Sequence, residues 1–213
     1  AALRVARLLA AVAEPSSVVV LADDTARDPA RARLAGRVRP EHGLDDAAWD
    51  TLARGANLIA RRVAEDTCLR TAFHHHAATF VETAAEIDQL MLRTDPALVG
   101  LCLDTGHTAF GGGDPVAVAS RWRERIRHVH LKDCDPAVRA RAAADAWDYQ
   151  ASVRHGVFCE LGRGDVDFAA VLRLLRTTGY NGWLVVEQDV LPSMGTPMES
   201  AARNRGYLRS LGL

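Results

Sequence analysis

Apolar positions along the chain follow two rhythms. Short unbroken runs such as Val18-Val19-Val20-Leu21 alternate with longer stretches in which apolar residues recur every third or fourth position. An unbroken β-branched run fits a strand buried on both faces, and the longer period fits a helix with one inward face. Leu3, Val5, Leu8, Leu9 and Val12 open the chain as the middle of a helix with no capping residue ahead. Because the first residue is Ala1 rather than Met, a processed start or a longer parent chain is expected.

The spacing then predicts a strand over 18–21, ended by Asp23-Asp24, and a loop over 25–44. A helix begins at Asp45 or Asp46 and turns Trp49, Leu52, Ala56, Ile59 and Val63 inward. A weak strand over 68–73 runs into His74-His75-His76. Thr83 and Glu86 form a capping box ahead of Ile87, Leu90 and Met91. Residues 99–103 are the next strand, ending in Asp104, and Gly111-Gly112-Gly113 is a turn. Asp114-Pro115 starts a helix, and 126–131 is a strand carrying His128 and His130. Residues 133–164 break the rhythm. Asp167 caps a helix with Val171, Leu172, Leu174 and Leu175 inward, closed by Gly179. A last strand over 183–186 ends in Glu187, and a final helix covers 197–211. Five strands alternating with five helical segments imply an α/β fold with a parallel sheet in one domain.

Composition narrows the partners. Of 213 residues 48% are hydrophobic, enough for one sizeable core. Lys and Arg number 26 against 27 Asp and Glu, a net charge of -1, which argues against nucleic acid bound through a broad basic surface. No run approaches the roughly 20 apolar residues of a membrane span, so no membrane partner is expected. Cys68, Cys102, Cys134 and Cys159 lie far apart without a CxxC pair, as expected of reduced thiols in a cytoplasmic protein.

The residues with metal-binding chemistry sit where strands end: His74 to His76, Asp104 and His107, His130 and Lys132, and Glu187. In parallel α/β folds the C-terminal strand ends share one face, and that face hosts the site. A mixed imidazole and carboxylate set suits Mn²⁺, Co²⁺, Fe²⁺ or Zn²⁺ better than Ca²⁺. No thiol is expected to join it. On a strand His74 and His76 share a face and His75 opposes it. Any one of these residues alone would be an ordinary cap or loop residue; the coincidence across four strand ends carries the weight.

Four segments, FHHHAATFVETAAEIDQLMLRTDPALVGLCLDTGHTAFGGGDP, RIRHVHLKD, GVFCELGRGDVDF and GYNGWLVVEQD, resemble in order and spacing the sugar isomerase/epimerase superfamily of xylose-isomerase-like (β/α)8 TIM barrels. The triple His before a T-x-x-E helix start, with HVHLKD later, resembles its inosose dehydratase branch. The resemblance implies that residues 1–213 form one partial barrel domain, lacking the first three βα units. Five strands cannot close such a barrel, and open edges would favour a homo-oligomer.

The implied activity is a carbon-oxygen lyase reaction, removal of water from an inosose (2-keto-myo-inositol) in inositol catabolism. The implied cofactor is one divalent metal, Mn²⁺ or Co²⁺ first, with Zn²⁺, Fe²⁺ or Mg²⁺ as alternatives. By position Asp104, His130 and Glu187 would be metal ligands, and His74 would stand where the epimerases have a Glu, with His76 the competing choice. His107 and Lys132 would reach substrate oxygens. Arg163, in Leu161-Gly162-Arg163-Gly164, would contact substrate or face solvent. A dehydratase needs a base for the proton α to the ketone and an acid for the departing hydroxyl. Glu187 or a rim His is the candidate base, and His107 or Lys132 the candidate acid or oxyanion stabiliser. The competing expectations are a ketose isomerase or epimerase of the same superfamily and a non-catalytic remnant that binds a ligand or a partner chain.

Overall fold

The computed structural model describes every residue except Ala1, Ala13, Pro15, Ser16 and Asp24, and the side chain of Ser193. The expected strand-ending role of Asp24 therefore lies outside the described residues. Five parallel strands form one open sheet: β1 (Val18–Ala22), β2 (Arg70–His74), β3 (Val99–Asp104), β4 (Ile126–Leu131) and β7 (Leu184–Val186), side by side in that order. Between β4 and β7 the chain makes a small antiparallel ladder of β5 (Asp133–Cys134) and β6 (Phe158–Cys159). β1 and β7 are the unpaired edges of the large sheet.

The two faces of the sheet differ. Phe73, Leu101, Leu103, Val129 and Leu131 point outward into the main core, beneath helices that contribute Trp49, Ala56, Ile87 and Leu90. The alternate positions His74, Cys102, Asp104, His128 and His130 share the other face. Apolar residues on that face at the sheet edges stay open, with Val20 40% and Val185 38% exposed. The helix Asp46–Thr67 lays a stripe of Trp49, Ala53, Ala56, Ala60 and Val63 on the sheet. The stripe falls one position round from the one that residue size suggests. Three alanines let the helix approach closely, and Leu52 and Ile59 pack at its margins.

Three stretches are more regular than expected. Residues 25–44 hold a helix, Pro29–Leu34, whose first N–H groups are capped by Asp28. Residues 105–110 continue from β3 straight into a short helix, Thr105–Phe110, with Asp104 as its cap. Residues 133–164 hold the helices Pro136–Ala144 and Tyr149–Arg154 in addition to β5 and β6. Each helix opens on an Asp that accepts backbone N–H groups, Asp135 and Asp148. These are short helices with little apolar periodicity, so caps mark them better than moments do.

A buried ion pair ties the 25–44 segment to the rest. Arg31 is 1% exposed and its guanidinium donates to both Glu86 oxygens at 2.9 Å and to the Thr79 carbonyl at 2.8 Å. Glu86 is also the capping-box residue of the helix Ala84–Arg93. Beside it Glu82 accepts from the N–H groups of Gly36 and Ala78, both at 2.7 Å. Burial pushes the Glu82 carboxyl up from 4.5 to about 7 despite those bonds. The native state therefore holds a proton on Glu82 at pH values where the unfolded chain has lost it. Stability from this group is full below pH 4.5 and lost as pH rises through about 7. The unfolding free energy from urea titrations across that window should fall with pH by up to about 1.4 kcal/mol per pH unit from this group. In Glu82→Gln that component of the slope should vanish; an unchanged slope would show that Glu82 does not cause it.

Candidate functional site

Parallel register sets the positions of the polar face. Asp104 pairs with His130 across β3 and β4, and His74 pairs with Cys102 across β2 and β3. Asp104 is the hub. It is fully buried, its Oδ1 accepts the His107 N–H at 2.8 Å, and its Oδ2 lies 3.4 Å from His74 Nε2 and 3.6 Å from His130 Nδ1. Glu187, just past β7, is anchored by its N–H to the Leu131 carbonyl and brings Oε1 within 3.0 Å of His130 Nδ1. His74, Asp104, His107 and Glu187 offer donor atoms that all lie within 4.8 Å of one another.

Lys132 borders this cluster from the end of β4. Its Nζ is 3.2 Å from Glu187 Oε2, 3.3 Å from Asp189 Oδ2 and 4.6 Å from the centre of the Phe158 ring. The chain passes close above it: a Cβ at Gly106 would strike the Lys132 side chain. Gly106→Ala should therefore displace Lys132. The expected result is lower turnover with Mn²⁺ affinity unchanged within a few-fold, checked by titration calorimetry beside a rate assay. Equal losses in both would show a wider disruption.

The imidazoles are held by different partners. His75, on the opposite face from His74, accepts the Asp104 N–H at its Nε2 (3.1 Å) and so fixes the hub from behind. His76 and His107 pack with ring centres 3.7 Å apart. His76 Nδ1 lies 2.7 Å from the Ala77 carbonyl, so that nitrogen carries the proton. The Ala77 N–H donates to His107 Nδ1 at 3.4 Å, so His107 carries its proton on Nε2. One backbone residue thus sets the two rings in opposite tautomers.

Three buried ring nitrogens, His75 Nδ1, His107 Nε2 and His130 Nδ1, have no hydrogen bond among the described residues. His130 Nδ1 is near Asp104 and Glu187, yet its bonding direction misses both. His130 Nδ1, beside the Asp104 and Glu187 carboxylates, fits a cation, and the His107 Nε2–H fits an oxygen ligand.

The family model for the xylose isomerase-like TIM barrel matches residues 8–211. The chain belongs to the xylose isomerase-like TIM barrel family. Its curated relatives include inosose dehydratases from Clostridium botulinum (strain Eklund 17B / Type B), 37% identical over 169 residues, and Clostridium tetani (strain Massachusetts / E88), 39% identical over 161. These alignments cover 79% and 76% of this chain but 56% and 54% of the relatives, so the chain spans little more than half their length. Among solved structures, a xylose isomerase domain protein from Planctomyces limnophilus matches with a TM-score of 0.68 at 17% identity, covering 98% of this chain and 64% of that one. A xylose isomerase-like TIM barrel protein from Mycobacterium smegmatis in complex with magnesium matches with a TM-score of 0.64 at 18% identity, over 99% and 65%. At such identity the structures speak for the fold: the sheet is part of a xylose isomerase-like barrel.

In this member of the family the charges are set by burial and by the cluster. Burial disfavours the charged Asp104, but His107, His130, His74 and Lys132 outweigh it and hold the carboxyl well below its ordinary value. Burial likewise opposes the charged Glu187, and His130 and Lys132 pull it down to about 2. Lys132 is pushed up: Asp104, Asp189 and Glu187 outweigh the cost of burial, so its ammonium keeps its proton. Burial lowers His107 well below 6.5 and His76 to about 4, so both are neutral at pH 7.

Some expectations need correction or completion. A thiol does stand at the site: Cys102, with His74 and His130, offers donor atoms within 4.8 Å of one another. Absence of a CxxC pair hid it, but Cys102 lies two positions before Asp104 on one strand, and the two-residue period puts both on one face. Arg163 is not brought to the cluster. Its side chain is 71% exposed and pairs with Glu160 at 3.4 Å. Asp189, missed from sequence, reaches Lys132 from the irregular segment that follows β7, two residues past Glu187. The positioning contact of His75 was also not foreseen.

Proposed function

We propose that the protein is a divalent-metal-dependent dehydratase acting on a polyhydroxylated cyclic ketone of the inosose class. The observation that carries this is the convergence of His74, Asp104, His130 and Glu187, from four neighbouring strands, beside a charged lysine and two neutral imidazoles. The relatives' names, inosose dehydratase, point to the same reaction class.

His74, Asp104, His130 and Glu187 would hold the ion, with Mn²⁺ or Co²⁺ preferred and Zn²⁺, Fe²⁺ or Mg²⁺ as alternatives. When bound, a divalent ion would supply Lewis-acid stabilisation of negative charge on a ketone oxygen. The proton on Nε2 takes His107 out of the ligand set and makes it a hydrogen-bond donor to a substrate oxygen, a role open to a neutral imidazole. His76 has the complementary tautomer, with a lone pair on Nε2, so the rim histidine is the base that takes the proton α to the ketone. Glu187, paired with both His130 and Lys132, has its oxygens engaged and serves as an anchor. Lys132 keeps its proton and gives it to the departing hydroxyl, which leaves as water. The proton on His76 then returns through solvent to Lys132, so each cycle closes without net charge change.

Incubating the chain with Mn²⁺ and 2-keto-myo-inositol tests the reading. A dehydrated, conjugated or enolised product should add ultraviolet absorbance that the substrate lacks. Conversion to an isomer without new absorbance would favour an epimerase, and no conversion at all would favour a binding role.

A further inference from the structure

The polar face of the sheet carries a second set of donors one layer below the first. We propose that His74, Cys102 and His130 form a distinct, thiolate-containing position for a thiophilic divalent ion such as Zn²⁺ or Cd²⁺. The register places His74 beside Cys102 on adjacent strands, and His130 lies one strand further on, two positions beyond the Cys102 partner His128. Donor atoms of the three lie within 4.8 Å of one another, and all three side chains are buried, at 8%, 0% and 7% exposure.

The donor chemistry separates the two positions. One thiolate with two imidazoles suits Zn²⁺ and its soft congeners, whereas a set with two carboxylates also admits harder ions such as Mn²⁺ and Mg²⁺. Zinc bonds of about 2.1 Å to nitrogen and 2.3 Å to sulfur require donors roughly 3.5 Å apart, a closure that side-chain rotation supplies. Binding exchanges the thiol proton for the metal: the S–H bond breaks, the S–metal bond forms, the proton goes to water, and no electrons change hands. His74 and His130 belong to both sets, so an ion in the lower position takes two imidazoles from the upper one. The two occupancies are therefore mutually exclusive. The proposal concerns metal choice and stands whether or not the protein is a dehydratase.

Cadmium reports the thiolate directly. One equivalent of Cd²⁺ added to the unaltered chain should give an ultraviolet sulfur-to-cadmium charge-transfer band. The band should be lost in both Cys102→Ala and Cys102→Ser, with circular dichroism like that of the parent. Zinc-edge X-ray absorption of the unaltered chain should show one sulfur in the first shell, a measurement that needs no variant to fold. Absence of the sulfur band, its survival in Cys102→Ala through another cysteine, or a zinc shell of nitrogen and oxygen alone would each overturn the proposal.

Discussion

Replacing Lys132 by Met should lower turnover by about 10²- to 10⁴-fold, the range for losing a positioned acid, while leaving Mn²⁺ affinity within a few-fold. Met keeps the apolar stem and removes the ammonium, which lies 4.6 Å from the centre of the Phe158 ring. That ammonium faces Glu187 and Asp189 at 3.2 and 3.3 Å, and the surrounding carboxylates hold it charged. A charged group beside the cluster, and not one of its ligands, should act on the rate and little on the metal. Steady-state rates with calorimetric Mn²⁺ titration give both numbers. Undiminished turnover would remove Lys132 from the chemistry.

The largest stability effect should come from Arg31, far from that chemistry. Arg31→Met should destabilise the fold by about 3–5 kcal/mol, because it leaves the Glu86 carboxylate buried without its partner. Glu86 accepts both arms of the guanidinium at 2.9 Å and also caps its own helix. A loss of that size is a large share of the 5–15 kcal/mol by which domains are typically stable. Chemical denaturation of the two chains measures it. The double change Arg31→Met with Glu86→Leu should recover part of the loss, since neither charge then stays unpaired. A loss below about 1 kcal/mol would mean that water replaces the guanidinium, as at surface pairs.

Much of the sheet is legible in the sequence because β1 (VVVLA), β3 (VGLCLD) and β7 (LVV) stand out as short apolar runs between helical stretches. β3 and β4 end within one residue of where Leu103 and Leu131 predict. β2 is shifted toward its histidines, since Cys68 takes a left-handed conformation that closes the preceding helix. The strand-end residues Asp104, His130 and Glu187 could be named because strand direction fixes which end faces the site. The tautomers could not, because they depend on the N–H and carbonyl of Ala77, and backbone groups leave no mark in the amino-acid pattern. Thr105–Phe110 hid for a related reason. A six-residue helix has too few turns to show a period, and Asp104 reads equally as a ligand and as a cap. Cys102 is within reach of the two-residue period, since it shares a strand face with Asp104.

If side chains from neighbouring strands grip one divalent ion at Asp104, an anomalous difference map from a crystal of the chain soaked in Mn²⁺ will show where it sits. A strong peak is expected in contact with Asp104 Oδ2 and with His74, His130 and Glu187. Manganese density only at other places, with these four side chains left around empty space, would contradict it.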